Sequence, residues 1–206
     1  MNEDLSPIRI AVFASGAGSN AREIIRYFHD SNHLVNNRRV EIALIVSNKS
    51  TAPVLLIAAE AGIPHLILDK ERFFQGDHYL DEFISLGISF IVLAGFLWKI
   101  PVELIRAYPE HIMNLHPALL PAFGGKGMYG SAVHEAVIAS GKRDSGITIH
   151  YVDEQYDHGR HFFQASFLLS PNETAETLAN RVHALEHQHY PPQIARWMTS
   201  KLSLKP

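Results

Sequence analysis

Three nearly unbroken apolar runs constrain this chain more than any other feature: residues 8–14 (IRIAVFA), 40–46 (VEIALIV) and 89–94 (SFIVLA). A strand with one wet face alternates apolar and polar residues. Runs like these belong instead to strands covered on both faces, as in a parallel sheet with helices above and below. Between them the spacing predicts helices: from Ser19 or Asn20, one of them the N-cap, to about Phe28; over 53–61, stopped by Gly62; over 79–86, closed by Gly87; and a short one opened by Pro101. Further on, 131–139 reads as a helix with Ser131 as cap and Gly141 as stop. Residues 173 to about 197 read as a long final helix, broken at Pro191-Pro192. Residues 65–68, 112–116, 146–152 and 162–169 supply further strands. Strand and helix alternate without repeats or a low-complexity linker. The reading is therefore α/β: one doubly wound, mostly parallel, Rossmann-like domain over 1–206, with its core at about 8–199.

Composition narrows the function. With 206 residues, 47% hydrophobic and 19% charged, the chain can bury a sizeable core. A net charge of -3 without a long basic run argues against nucleic acid as the principal partner. The chain has no cysteine, which excludes disulfides, thiolate nucleophiles and cysteine-based metal sites. Thirteen histidines raise the question of metal, but no His-Glu-x-x-His or comparable spacing occurs, and His187 and His189 read as surface or structural groups. No metal is expected. Residues 1–7 are polar and lack a signal-peptide core, and no stretch reaches membrane-spanning length, so a cytoplasmic protein without a membrane partner is expected.

The chemistry is read at Ile112-Met113-Asn114-Leu115-His116-Pro117. Side chains alternate along a strand, so Asn114 and His116 share a face, and Pro117 ends the strand just beyond them. An amide donor and an imidazole then stand side by side at the mouth of a central strand, where open α/β sheets bind ligands. The alternative is that Asn114 caps a turn and His116 is a satisfied core histidine. A carboxylate would orient the imidazole and raise its pKa. Asp157 is one candidate, in competition with Asp153 and Glu154, and it could equally be a turn residue before Gly159.

After the first strand, Gly16-x-Gly18-x-x-Ala21 satisfies the dinucleotide fingerprint. The acid that would hold a ribose at the end of strand two is absent, since Ser47-Asn48 stands there and Glu41 lies at the strand's beginning. NAD is therefore not expected. What remains is a phosphate cradle of small residues, free N–H groups and a helix start, against the alternative of an unliganded tight turn. Residues 123–130 carry four glycines around Lys126 and Tyr129 and read as a mobile flap or a rigid surface turn.

Taken together, Ser15-Gly16-x-Gly18-Ser19-Asn20, Leu93-Ala94-Gly95-Phe96, Asn114-x-His116-Pro117-x-Leu119-Leu120-Pro121, Gly146-Ile147-Thr148-Ile149-His150 and Asp157-x-Gly159 resemble the phosphoribosylglycinamide formyltransferase family. The resemblance runs from about residue 8 to 197. It implies transfer of a formyl group from 10-formyltetrahydrofolate, as co-substrate, to the amine of phosphoribosylglycinamide in purine biosynthesis. It also implies a cytoplasmic monomer or homodimer working on small molecules. By the same resemblance Asn114, His116 and Asp157 match the catalytic trio; Gly18, Ser19, Asn20 and Glu186 match the ribonucleotide contacts. Leu97, Trp98, Lys99, Ile100, Asn114, Asp153, Glu154 and Asp157 match the folate pocket.

The chain departs from the family pattern in three places. The loop over 122–133 is longer, with 124–130 in place of a histidine-bearing segment. Trp98-Lys99 replaces an arginine-isoleucine pair. The arginine expected on the folate tail finds no match near Gly76-Asp77-His78, leaving Lys70 or Arg72 as substitutes. Two relatives of the family, methionyl-tRNA formyltransferase and formyltetrahydrofolate hydrolase, carry extra domains that this chain, as read, does not accommodate. Another amine acceptor, donor hydrolysis and a non-catalytic nucleotide-binding module are the competing readings.

Overall fold

The apolar runs all enter one sheet. The structure is a computed structural model and describes residues 6–30, 33–75 and 79–203. Its strands are β1 (Ile8–Phe13), β2 (Leu34–Val35), β3 (Arg38–Ser47), β4 (His65–Ile67), β5 (Ile88–Leu93), β6 (Ile112–His116), β7 (Asp144–Tyr151) and β8 (His161–Leu168). Its helices are α1 (Ser19–Ile25), α2 (Val54–Glu60), α3 (Lys70–Phe74), α4 (Leu80–Ser85), α5 (Val102–Ala107), α6 (Ser131–Ala139) and α7 (Ala175–Leu202).

The sheet order is β2-β3-β1-β5-β6-β7-β8, with β4 also paired to β3. β4, β3, β1, β5 and β6 run parallel, whereas β7 and β8 are antiparallel additions and β2 forms an antiparallel hairpin with β3. Ile24, Val54, Val133, Val182 and Trp197 pack from α1, α2, α6 and α7 on one face. Phe73, Phe83 and Leu104 pack from α3, α4 and α5 on the other. The fold is thus doubly wound and mostly parallel. The winding reverses at β1, which has β3 on one side and β5 on the other. A crevice opens beyond the carboxyl ends of strands at such a reversal.

Several local readings are corrected. Helix α1 is capped by Gly18, not by Ser19 or Asn20: its φ of 76° is left-handed, and an added Cβ would lie 2.7 Å from Val54 Cβ. Only glycine fits a left-handed turn pressed against a neighbouring helix. Helix α6 is capped by Gly130, and Ser131 is its first residue. The π-turn over 26–30 continues α1. The β2–β3 hairpin, turning through left-handed Asn36 and Asn37, and the short α3, capped by the Asp69 side chain, were not read from the sequence.

Helix α7 is not broken at Pro191-Pro192. Two prolines remove two helical N–H donors. Against that loss, Tyr190, Pro191, Ile194, Trp197 and Met198 all bury on the sheet, and burial of this size outweighs it. Residues 76–78, beside which the folate-tail arginine was sought, lie outside the described residues.

Candidate active site

A cleft of about 660 Å³ lies at the winding reversal. The turn after β1 with the start of α1 (Ser15 to Asn20), the loop after β5 (Ala94 to Ile100), the end of β6, the glycine-rich loop, residues 152–153 and 155–157, and one face of α7 line it. Two hydrogen bonds fix the first two loops against each other. Ser15 N–H donates to the Gly95 carbonyl at 3.1 Å, and Leu97 N–H donates to Ser15 Oγ at 2.9 Å.

Asn114 and His116 emerge on one face of β6, as alternation requires. Asp157 joins them: its Oδ2 lies 3.6 Å from His116 Nδ1, and Asn114 Nδ2 comes within 3.5 Å of its Oδ1. Gly125 N–H donates to Asp157 Oδ2 at 2.8 Å. Asp157 itself sits at φ 57°, a left-handed conformation that aspartate tolerates better than most residues. Gly159 makes this turn possible, since an added Cβ would fall 1.7 Å from the Tyr151 carbonyl oxygen.

His150 completes the group, and the sequence reading gave it no role. It stands opposite Asn114 in the β6–β7 register. Its Nδ1 lies 2.8 Å from the Tyr151 carbonyl oxygen, which only accepts, so Nδ1 carries a proton. The other nitrogen, Nε2, lies 3.0 Å from Asn114 Nδ2 and 3.5 Å from Asp157 Oδ1. In this tautomer Nε2 accepts from the Asn114 amide. The available signal was Thr148 and His150 alternating with Ile147, Ile149 and Tyr151 along the strand, both buried. Thr148 Oγ1 donates to the Ala118 carbonyl and accepts from Leu120 N–H, pinning the turn after β6.

His116 is 3% exposed. Its Nε2 donates to the Phe123 carbonyl at 2.8 Å, which fixes the tautomer and leaves Nδ1 facing Asp157. Burial is the largest influence on this imidazole and pulls its pKa below the ordinary value, although Asp157 and the Phe123 carbonyl push it up. The carboxylate raises the pKa as expected, and desolvation outweighs it. For Asp157, burial pushes the pKa up. Hydrogen bonding with His150, the His116 charge and the Gly125 amide more than offset it and hold the carboxyl below its usual range.

Also lining the cleft, Asn20 Nδ2 donates to Glu186 Oε2 at 2.8 Å. Burial pushes the Glu186 carboxyl above its usual range. Gly18 and Ser19 lie beside them, together with His183 and the buried His134. Among the described residues, Asn20 Oδ1 and His134 Nδ1 are buried polar atoms without a hydrogen-bond partner.

The folate-pocket residues divide. Leu97, Trp98, Lys99, Ile100 and Asp153 line the cleft. Ile100 is a core residue at 3% exposure, so this segment offers mainly backbone at that position. Trp98 stacks near Phe73 and Phe74 of α3, with ring centroids 5.8 and 5.5 Å away. Glu154 does not line the cleft, and its carboxylate lies 3.7 Å from Arg106 of α5. Neither Lys70 nor Arg72 lines the cleft either, and Arg72 lies over the Tyr79 ring at 4.4 Å. Among the described residues, no group of three or more His, Cys, Asp or Glu side chains is gathered to hold a metal ion, and no helix is long and apolar enough to cross a membrane.

An amide, two imidazoles and a carboxylate thus gather at the end of β6 in a cleft that the small-residue turn after β1 also lines. The formyl transferase family model matches residues 8–194, and the chain belongs to that family. Within it the chain is similar to phosphoribosylglycinamide formyltransferases. The chloroplastic enzyme of Arabidopsis thaliana is 44% identical over 187 residues, covering 88% of this chain and 62% of the relative. The Bacillus subtilis enzyme is 34% identical over 190 residues, covering 90% and 92%. The crystal structure of phosphoribosylglycinamide formyltransferase from Bacillus halodurans superposes with a TM-score of 0.83 at 32% identity, covering 95% of this chain and 98% of that one. The chain spans about three fifths of the length of the plant relatives it matches, 62% and 58%.

Proposed function

We propose that the protein transfers the formyl group of 10-formyltetrahydrofolate to the amine of phosphoribosylglycinamide, as one catalytic domain over about residues 8–199. One observation carries the reading. Asn20, Glu186, Asn114, His116 and Asp157 all line a single cleft, so two substrates bound there can meet at Asn114. The similarity to enzymes of that name supports the choice of substrates.

In this account the phosphate lies on the backbone of Gly18, Ser19 and Asn20. Glu186 meets the rest of the acceptor and brings its amine to Asn114. The pterin occupies the pocket formed by Leu97, Trp98, Lys99, Ile100 and Asp153. The amine is the nucleophile. Its nitrogen bonds to the formyl carbon, an oxyanion develops, the bond from that carbon to the folate nitrogen breaks, and a proton passes from the attacking nitrogen to the departing one.

Asn114 has one N–H on His150. Its second makes only the 3.5 Å approach to Asp157, a weak contact that leaves it available to the oxyanion. His116 joins as second donor by exchanging the Phe123 carbonyl for the oxyanion at Nε2. The neutral ring donates there from its Nε2–H, and the partly accessible Asp157 carboxylate takes the amine proton in transit and passes it to the departing folate nitrogen. No step calls for a metal or NAD. We take the protein to be cytoplasmic, and a monomer or homodimer. The absence of cysteine suits a reducing compartment, and the Arabidopsis relative is chloroplastic.

Ser19→Asp tests the assignment by setting a negative charge where the phosphate would lie. The KM for phosphoribosylglycinamide should rise steeply while the KM for the folate donor moves little. A loss confined to the folate would mean that the two subsites are exchanged.

A further inference from the structure

The β5–β6 ladder ends at the pair Leu93 and Asn114. Beyond Leu93 the chain becomes the loop after β5, which lines the cleft, and Asn114 lines the cleft beside it. The relative position of these two strand ends therefore sets how that loop stands against the Asn114 amide.

A single phenol bridges them. Tyr190 of α7 is 0% exposed, and its hydroxyl donates to the Leu93 carbonyl at 2.9 Å. The same hydroxyl lies 3.3 Å from the carbonyl of Met113, the residue before Asn114. One proton shared between two acceptors is a three-centre bond, which restrains both carbonyls at once. One helical turn earlier, Glu186 of the same helix holds Asn20 in the first turn of α1. Residues four apart share a helix face, so one face of α7 ties the start of α1 to the ends of β5 and β6. The two prolines that follow Tyr190 remove helix donors without moving the helix off the sheet.

We infer that Tyr190 is a positioning residue for formyl transfer: its buried hydroxyl sets the distance between the loop after β5 and the Asn114 amide, and so aligns donor and acceptor. The inference rests on the formyl-transfer reading and adds a residue with no access to either substrate. Tyr190 does not touch reacting atoms. It acts through the backbone that carries Asn114.

Tyr190→Phe keeps the ring and deletes only the bridge. Turnover should fall on the order of tenfold, since small misplacements at a reacting centre are costly. The KM for phosphoribosylglycinamide should hold, because Asn20 and Glu186 are untouched. In an Asn114→Ala background the same change should cost under about twofold, because the residue it acts through is gone. The side-chain amide resonance of Asn114 should shift in Tyr190→Phe. Fluorotyrosine at position 190, which keeps the hydroxyl, should restore most of the turnover.

A Tyr190→Phe protein with lower thermal stability, unchanged turnover and an unmoved Asn114 resonance would overturn the inference. So would equal losses in the two backgrounds. If the phenylalanine variant does not fold, the fluorotyrosine protein decides alone: its stronger donor must shift the Asn114 resonance, and an unmoved signal refutes the bridge. A wild-type protein without transfer activity would defeat the functional reading, while the resonance still answers for Tyr190.

Discussion

His116 Nδ1 and Asp157 Oδ2 stand 3.6 Å apart, with the opposite ring nitrogen already committed to the Phe123 carbonyl. This is too long for a strong hydrogen bond and close enough for the carboxylate to govern the ring's charge. Asp157→Asn should lower turnover on the order of a hundredfold. It should also lower the His116 pKa further, because the one group that opposes desolvation through charge is removed. Imidazole resonances followed against pH check the second effect. An unchanged rate and an unchanged titration would make Asp157 a turn residue.

Acid should weaken the fold through the histidines. His116 and His134 both have pKa values held below the ordinary one, chiefly by burial. Below an unfolded value of about 6.5, the unfolded chain takes up protons that the folded chain refuses, so stability falls as pH drops toward the folded values. Glu186 acts in the opposite sense. Its folded pKa is raised by burial, and its contribution is present at low pH and lost as pH rises through that value. The Tm should therefore decline from about pH 7.5 to about pH 5.5, and His116→Gln should flatten the slope. A slope identical in the two proteins would place the effect elsewhere.

Much of this arrangement was legible in the chain because it is local. Two-faced apolar runs give a parallel sheet, and alternation with Pro117 puts Asn114 and His116 together. The rest depended on contacts distant in sequence. Asp157 could not be separated from Asp153 and Glu154 until the turn at Gly159 aimed one carboxylate inward and left Glu154 near Arg106. His150 enters through strand register, which no local pattern states. Asp157 does push the His116 pKa up, but the net shift is downward because desolvation outweighs it, and burial is a property of the whole fold.

The glycine-rich loop is tied to the site by backbone alone, through the Phe123 carbonyl on His116 and the Gly125 amide on Asp157. Phe123, Gly125, Gly127 and Gly130 all have left-handed φ angles, and Lys126 and Tyr129 are exposed. If His116 exchanges its partner during the reaction, ligands must alter this loop. Trypsin cleavage after Lys126 should slow when a folate analogue and the ribonucleotide are both bound. Equal cleavage with and without them would mark a rigid turn.

The most direct measurement is donor consumption with three acceptors: none, free glycinamide, and phosphoribosylglycinamide. The account predicts that 10-formyltetrahydrofolate is consumed only with the full ribonucleotide, each turnover giving one N-formyl product, with glycinamide a very poor substitute because it lacks the phosphate that Gly18, Ser19 and Asn20 would hold. Donor consumed equally fast without an acceptor would make the protein a hydrolase. Donor left intact with all three would contradict the assignment altogether.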